Sequence, residues 1–113
     1  MSIKIDTRYS SHPEDFKSYA TTEIRDKFLI NEIFIPNQIT GTYTMEDRLI
    51  VGGIHPVDQS LKLETIAQLK AENFLDRREI GIINVGSSTT IDVDGEIVTL
   101  GHKEALYLGK GIK

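Results

Sequence analysis

Polar and apolar positions change their period near residue 30. Before it the spacing is helical. Ser11-His12-Pro13-Glu14-Asp15 is a helix-start signal, with a capping residue, a proline and acids for the first turn, and Phe16, Tyr19 and Ala20 follow on one face. Thr21-Thr22-Glu23 restarts the pattern, with Ile24, Phe28 and Leu29 at helical spacing and Arg25 and Lys27 towards the outside or the last turn. The spacing predicts two short helices, or one broken helix, ending near Ile30.

From Glu32 onwards the pattern alternates. Ile33-Phe34-Ile35-Pro36, Gly41 to Met45, Asp47 to Ile54, and Leu61 to Glu64 read as four short strands. Thr65 to Glu72 has room for a helical turn carrying Ile66 and Leu69. Arg77 to Val85, Thr89 to Val93, Glu96 to Leu100 and Ala105 to Leu108 complete the set, and Asp94-Gly95 is a hairpin turn between two of them. Seven or eight short strands with frequent turns predict a mainly β, antiparallel sandwich or barrel behind short N-terminal helices. The division expected is a helical segment over 1–30 and a β-domain over 31–113. Leu108 to Lys113 reads as a strand, a turn and the first step of another strand, so the sheet is expected to be incomplete and the chain cut short. There is no repeat or low-complexity segment.

Composition narrows the function classes. The chain has 113 residues, 39% hydrophobic and 27% charged, which is globular. Its longest apolar run is four residues, far short of a membrane-spanning helix. Met1 to Asp6 carries no apolar core with a cleavage site, so no secretory leader is expected. The absence of cysteine excludes disulfides, thiolate metal sites, iron–sulfur clusters and thiol catalysis. A net charge of −4 argues against nucleic acid as a partner. A soluble cytoplasmic domain is the expectation.

Candidate chemistry is sparse. His12, His55 and His102 form neither a His-x-His pair nor a helical i, i+4 pair, the spacings that place two imidazoles on one ion. His12 suits a capping or solvent role, His55 a strand end, and His102 a turn. Arg77-Arg78-Glu79 is the densest charge cluster; arginine forks grip carboxylates, but in an extended strand Arg77 and Glu79 share one face and Arg78 takes the other, which favours cross-strand or interface ion pairs. Gly52-Gly53 suits either close backbone approach or a bulge. Gly86-Ser87-Ser88 and Gly109-Lys110-Gly111 lack the residues of a phosphate loop, and no nucleophile elbow supports serine catalysis. Read by residues alone, the sequence describes a soluble β-rich domain.

Three stretches add a resemblance. Asp47-Arg48-Leu49-Ile50-Val51-Gly52-Gly53-Ile54 with Pro56 is the first, and Phe74-Leu75-Asp76-Arg77-Arg78-Glu79-Ile80-Gly81-Ile82-Ile83-Asn84-Val85-Gly86 the second. Val93-Asp94-Gly95 with Gly101-His102-Lys103-Glu104-Ala105-Leu106-Tyr107-Leu108-Gly109-Lys110-Gly111 is the third. In order, from about Phe28 to the last residue, they closely resemble the N-terminal part of the 5-keto-4-deoxyuronate isomerases, also called 4-deoxy-L-threo-5-hexosulose-uronate ketol-isomerases. The resemblance implies a cupin-like, jelly-roll-type antiparallel β-sandwich, one of two cupin-like halves. It also implies a bacterial, zinc-binding, hexameric enzyme of pectin and uronate breakdown, converting 5-dehydro-4-deoxy-D-glucuronate into 3-deoxy-D-glycero-2,5-hexodiulosonate. The partners implied are that small-molecule substrate and further copies of the subunit, with no nucleic acid and no membrane.

Such a reaction needs a base beside the carbonyl, a positive centre for the enediolate and a cation for the substrate carboxylate. A cupin metal site takes a His-x-His and a Glu from one motif and a His from the second. Ile54-His55-Pro56-Val57-Asp58 offers one histidine without a partner two residues away, and no histidine follows Gly111. This half is therefore expected to hold no metal, to be inactive alone, and to do architectural work, with the catalytic cupin lying C-terminal to it. Arg77, Arg78, His102 and Lys103 are the residues expected near substrate or an interface. Two other readings are a 5-deoxyglucuronate isomerase of inositol breakdown, of the same bicupin class, and a non-catalytic cupin that binds a sugar or a partner.

Overall fold

The computed structural model describes residues 3–113, and the first two positions of the stretch read for a leader lie outside it. The chain is mainly β and divides into two compact units, Met1–Leu63 and Glu64–Lys113.

The first unit is a three-stranded sheet in the order β1-β2-β3, with β1 at Lys4–Arg8, β2 at Ile39–Thr44 and β3 at Ile50–Ile54. β2 and β3 pair antiparallel, from Ile39↔Ile54 to Tyr43↔Ile50. β1, however, runs parallel to β2, from Lys4↔Thr40 to Arg8↔Thr44. A parallel pair needs a long crossover, and here the helices supply it: α1 at Pro13–Phe16 and α2 at Thr21–Phe28. The stretch expected to be purely helical thus opens with a strand. β1 went unread because its five residues, Lys-Ile-Asp-Thr-Arg, carry a single strongly apolar side chain.

Both helices begin where their start signals stand. His12 caps α1, its Nδ1 accepting the Glu14 N–H at 3.1 Å, as the capping role for His12 anticipates. At α2 the Glu23 carboxylate accepts the Ala20 N–H at 3.1 Å, half of a capping box. Phe16 meets Tyr19 and Phe28 edge-on, at 6.0 and 5.7 Å between ring centroids.

Two of the expected strands are absent. Ile33–Pro36 is irregular because Pro36 and Asn37 form a turn, closed by Gln38 N–H on the Ile35 carbonyl, with Asn37 at φ +59. Proline followed by a residue at positive φ is the type II turn pattern. Leu61 and Leu63 do alternate in burial with Lys62 and Glu64, yet no ladder partner lies beside them. Alternation places side chains; only a neighbouring backbone makes a strand. The third expected strand begins at Ile50 instead of Asp47, since Asp47 and Arg48 take φ of +58 and +54 and form the hairpin turn.

Gly52 and Gly53 mark close backbone approach. A Cβ on Gly53 would lie 2.1 Å from the Ile33 carbonyl oxygen, and one on Gly52 would lie 2.4 Å from that of Thr40. Thr40 Oγ1 donates to the same Ile33 carbonyl, so the irregular 33–35 segment is held against the β2–β3 hairpin. The collision is with backbone, which cannot rotate away. Gly53→Ala is expected to cost about 1–3 kcal/mol, read as a lower denaturation midpoint, whereas Gly81→Ala, with open space around it, should be milder.

The second unit holds two antiparallel ladders and a single 3-10 turn at Ala67–Leu69. β4 at Ile80–Ile83 pairs with β7 at Ala105–Leu108, and β5 at Thr89–Val93 pairs with β6 at Glu96–Leu100. The β5–β6 hairpin turns on Asp94 and Gly95 at φ +51 and +87, as their sequence predicts. Ile66, Leu75 and Leu100 are its buried apolar anchors. β4 is shorter than the expected Arg77–Val85. Before it, residues 70–79 make their own local bonds, and after it Asn84 turns the chain.

Candidate functional site

Residues 64–79 and the turn after β7 build one polar depression. Thr65 Oγ1 donates to the Ala71 carbonyl at 2.8 Å. Asp76 accepts from the Asn73 backbone N–H at 3.0 Å and from Asn73 Nδ2 at 3.2 Å. Those bonds, the backbone one first, hold the Asp76 carboxyl below its usual 3.8. Its contribution to the loop is complete above pH 3.8 and is lost as pH falls through the lower folded value. Arg77 Nη2 donates to the Lys70 carbonyl at 2.5 Å, and Gly111 N–H donates to the Leu75 carbonyl at 2.6 Å. This last bond draws the Lys110 turn beside the 75–79 loop, with Gly111 at φ +93 allowing the bend.

The result is a shallow, open depression of about 370 Å³ lined by Arg77, Arg78, Glu79 and Lys110. A continuous strand would have put the two arginines on opposite faces. Because Arg77–Glu79 lies outside β4, both arginines reach the same depression, and that expectation is corrected. Lys110 completes the lining and was not singled out from sequence; the Gly-Lys-Gly turn was its only signal. Beside it, Tyr107 Oη donates to Glu79 Oε2 at 2.5 Å.

His102 and Lys103 do not join this group. They form the β6–β7 turn at the other end of the β4–β7 ladder, about 10 Å long at 3.4 Å per residue. Lys103 adopts φ +65, and its N–H donates to the Asn84 carbonyl at 2.7 Å. His102 Nδ1 lies 2.8 Å from the Gly86 carbonyl, which can only accept, so Nδ1 carries the hydrogen. His102 fastens one loop to another. His55 sits in the first unit, edge-on to Phe34 at 6.3 Å, with its backbone on Asn37 and Gln38.

Among the described residues no three His, Asp or Glu side chains converge as a metal ion requires. The donor set explains why: His12 and His102 each commit a ring nitrogen to backbone, and the three histidines stand on separate loops. Among the described residues no helix is long and apolar enough to cross a membrane.

Tyr107 gives this region a readable titration. Its hydrogen bond to Glu79, with the carboxylate's charge beside it, raises the phenol above the ordinary 10.0. The raised value means the contact is fully present below pH 10.0 and lost as pH rises through the folded value. Glu79→Gln should bring phenolate formation at Tyr107 back towards 10.0 in an ultraviolet pH titration. An unaltered titration curve would show that the contact is not made in solution.

No family model matches the chain. Curated relatives match nearly all of it. It is 50% identical over 98% of its length to 4-deoxy-L-threo-5-hexosulose-uronate ketol-isomerase 1 of Bacteroides thetaiotaomicron, and 49% identical over 100% to the ketol-isomerase of that name from Formosa agariphila. The Pectobacterium carotovorum enzyme is 48% identical over 96%. The likeness therefore reaches into the helices and β1, further than the stretch from Phe28 that sequence motifs revealed. The chain spans 40% of the length of each of these relatives. Along its own length, then, the chain is similar to about two-fifths of a 4-deoxy-L-threo-5-hexosulose-uronate ketol-isomerase.

Proposed function

We propose that this chain is the N-terminal portion of a bacterial ketol-isomerase of uronate and pectin breakdown, one that converts 5-dehydro-4-deoxy-D-glucuronate into 3-deoxy-D-glycero-2,5-hexodiulosonate. The observation that carries the reading is 50% identity over 98% of the chain to a protein named for ketol-isomerisation of a hexosulose-uronate. The mainly β structure, with short antiparallel strands behind two helices, suits a cupin-like half of such an enzyme.

The reaction moves a carbonyl along a six-carbon acid. A base takes a proton from the neighbouring carbon, the enediolate charge is stabilised, and the proton returns one carbon over. The whole enzyme is proposed to act in the cytoplasm as a zinc-binding hexamer. The side chains described here do not fit a resident metal, so its ligands would lie outside this chain and no step is routed through them. What this chain offers is framework and polar side chains: Arg77, Arg78, His102 and Lys103 are the candidates for a place at substrate or at a subunit contact, and the two pairs lie at opposite ends of the β4–β7 ladder.

The expected outcome is that a longer polypeptide carrying this chain isomerises 5-dehydro-4-deoxy-D-glucuronate, while the 113 residues alone do not. Product formation followed by NMR checks both. Turnover of 5-deoxyglucuronate in preference would replace this reading with the inositol-pathway isomerase.

A further inference from the structure

The β4–β7 ladder has an outer face that its own unit leaves open. Along the two strands the exposed positions are Gly81, Ile83, Ala105 and Tyr107, set opposite one another as Gly81↔Tyr107 and Ile83↔Ala105. None of the four is charged. Ile83 is 70% exposed and Tyr107 64%, and Val85, next in the alternation, is 59% exposed. The β5–β6 ladder shows what a solvent face of the same unit looks like. Its exposed positions are Thr90, Asp92, Glu96, Ile97 and Thr99, of which only Ile97 is apolar. The outer face of β4–β7 has no such polar cover, and its one hydroxyl, that of Tyr107, is already bonded to Glu79 at the rim. The unit is also short of interior. Over Glu64–Lys113 the buried apolar side chains are Ile66, Leu75 and Leu100, there is no cysteine to staple the fold, and each ladder has two strands.

Two occupants are physically available for such a face, a second copy of the chain or more of the same polypeptide. Ile83, Val85 and Tyr107 together present on the order of 300 Å² of apolar surface. A stable dimer takes roughly 800 Å² from each partner, so this face is too small to hold a second copy by itself. A covalently attached segment needs less area, because it is present at an effective concentration of about a millimolar or more. The relatives have the length to supply one, since this chain spans 40% of each. We propose that the outer face of β4–β7, centred on Ile83 and Tyr107, seats an apolar segment of the polypeptide C-terminal to Lys113, packed on it as a second layer. The relief of the face suits that contact. A Cβ on Gly81 would meet nothing within 4 Å, so the ground beside Tyr107 is open and an apolar side chain from the layer above can settle there. The inference rests on the proposed reading of the chain as the N-terminal portion of a longer enzyme; the choice of face comes from its exposed side chains.

The test uses the longer polypeptide with Tyr107 replaced by p-benzoylphenylalanine, irradiated in its native state and then denatured. The expected product keeps the mass of a single subunit and carries a cross-link to a residue beyond Lys113, located by peptide mass spectrometry. A product of doubled mass would put a second copy on the face and overturn the proposal. A cross-link confined to residues 1–113, or none at all, would overturn it too. Where the bulky side chain blocks folding, Ile83→Cys takes its place, with Thr90→Cys on the polar face of β5 as control. In the native protein a maleimide should label position 83 roughly tenfold more slowly than position 90, read on the labelled peptides; equal rates would sink the contact. Neither readout uses activity. A polypeptide that cross-links as expected and does not isomerise removes only the isomerase reading, and isomerisation without the cross-link removes only this contact.

Discussion

The second unit depends on one side chain. Asn84, at the end of β4, donates from Nδ2 to the carbonyls of Ser87 and Leu100, each at 2.9 Å, and accepts the Gly86 N–H on Oδ1 at 2.9 Å. Its backbone N–H donates to the Glu104 carbonyl, and its carbonyl accepts from Lys103. The end of β4, the loop into β5, the end of β6 and the start of β7 therefore meet at a single residue. Each ladder here has only two strands, which is marginal alone in water. Asn84 joins the two ladders by hydrogen bonds, with His102 on the Gly86 carbonyl and the Lys113 N–H on the Asp94 carboxylate adding to it. Both amide hydrogens and the amide oxygen are in use, so aspartate would lose two donors and alanine all three bonds.

That fastening explains the division of the charged residues. At the Asn84 end, His102 and Lys103 are engaged in holding loops together, through the Gly86 and Asn84 carbonyls. At the far end of the same ladder the Gly111 N–H donates to the Leu75 carbonyl, and residues 70–79 organise themselves around Asn73–Asp76 and Arg77–Lys70. Order there comes from backbone carbonyls held by a few side chains. The guanidinium and ammonium groups then stand at the rim, not in the core.

Much of this was legible in the sequence. The β5–β6 hairpin follows from Asp94-Gly95 between two alternating runs, and β7 from Ala105–Leu108, because local chemistry alone sets them. The helix starts at Pro13 and Thr21 were readable for the same reason. What could not be read depended on partners far along the chain. β1 is a strand because β2 lies parallel beside it, and nothing in Lys4–Arg8 announces that. Leu61 and Leu63 carry the strand pattern without a neighbour. Arg77 and Arg78 looked divergent because the apolar alternation of β4 was extended three residues too far, and the Asn73–Asp76 bonds that stop it are set by geometry. Asn84 gave no signal, since an asparagine after a strand is ordinary turn chemistry.

An isomerase that shifts a carbonyl along a sugar acid needs three things: a base, a stabiliser for the enediolate, and a grip on the carboxylate. Among the described residues there is no cluster of metal donors, and the histidines with a ring contact to backbone hold structure. The cations at the depression, by contrast, sit on exposed or half-buried side chains around an open space. On the proposed reading, Arg77 and Arg78 at the depression are candidates for the grip. On the same reading a metal electrophile would be held by the three-fifths of the relatives that this chain does not match. Such a division is physically economical. Carboxylate recognition tolerates solvent, whereas proton abstraction and enediolate stabilisation require a dry, preorganised pocket that an open depression of this kind cannot provide.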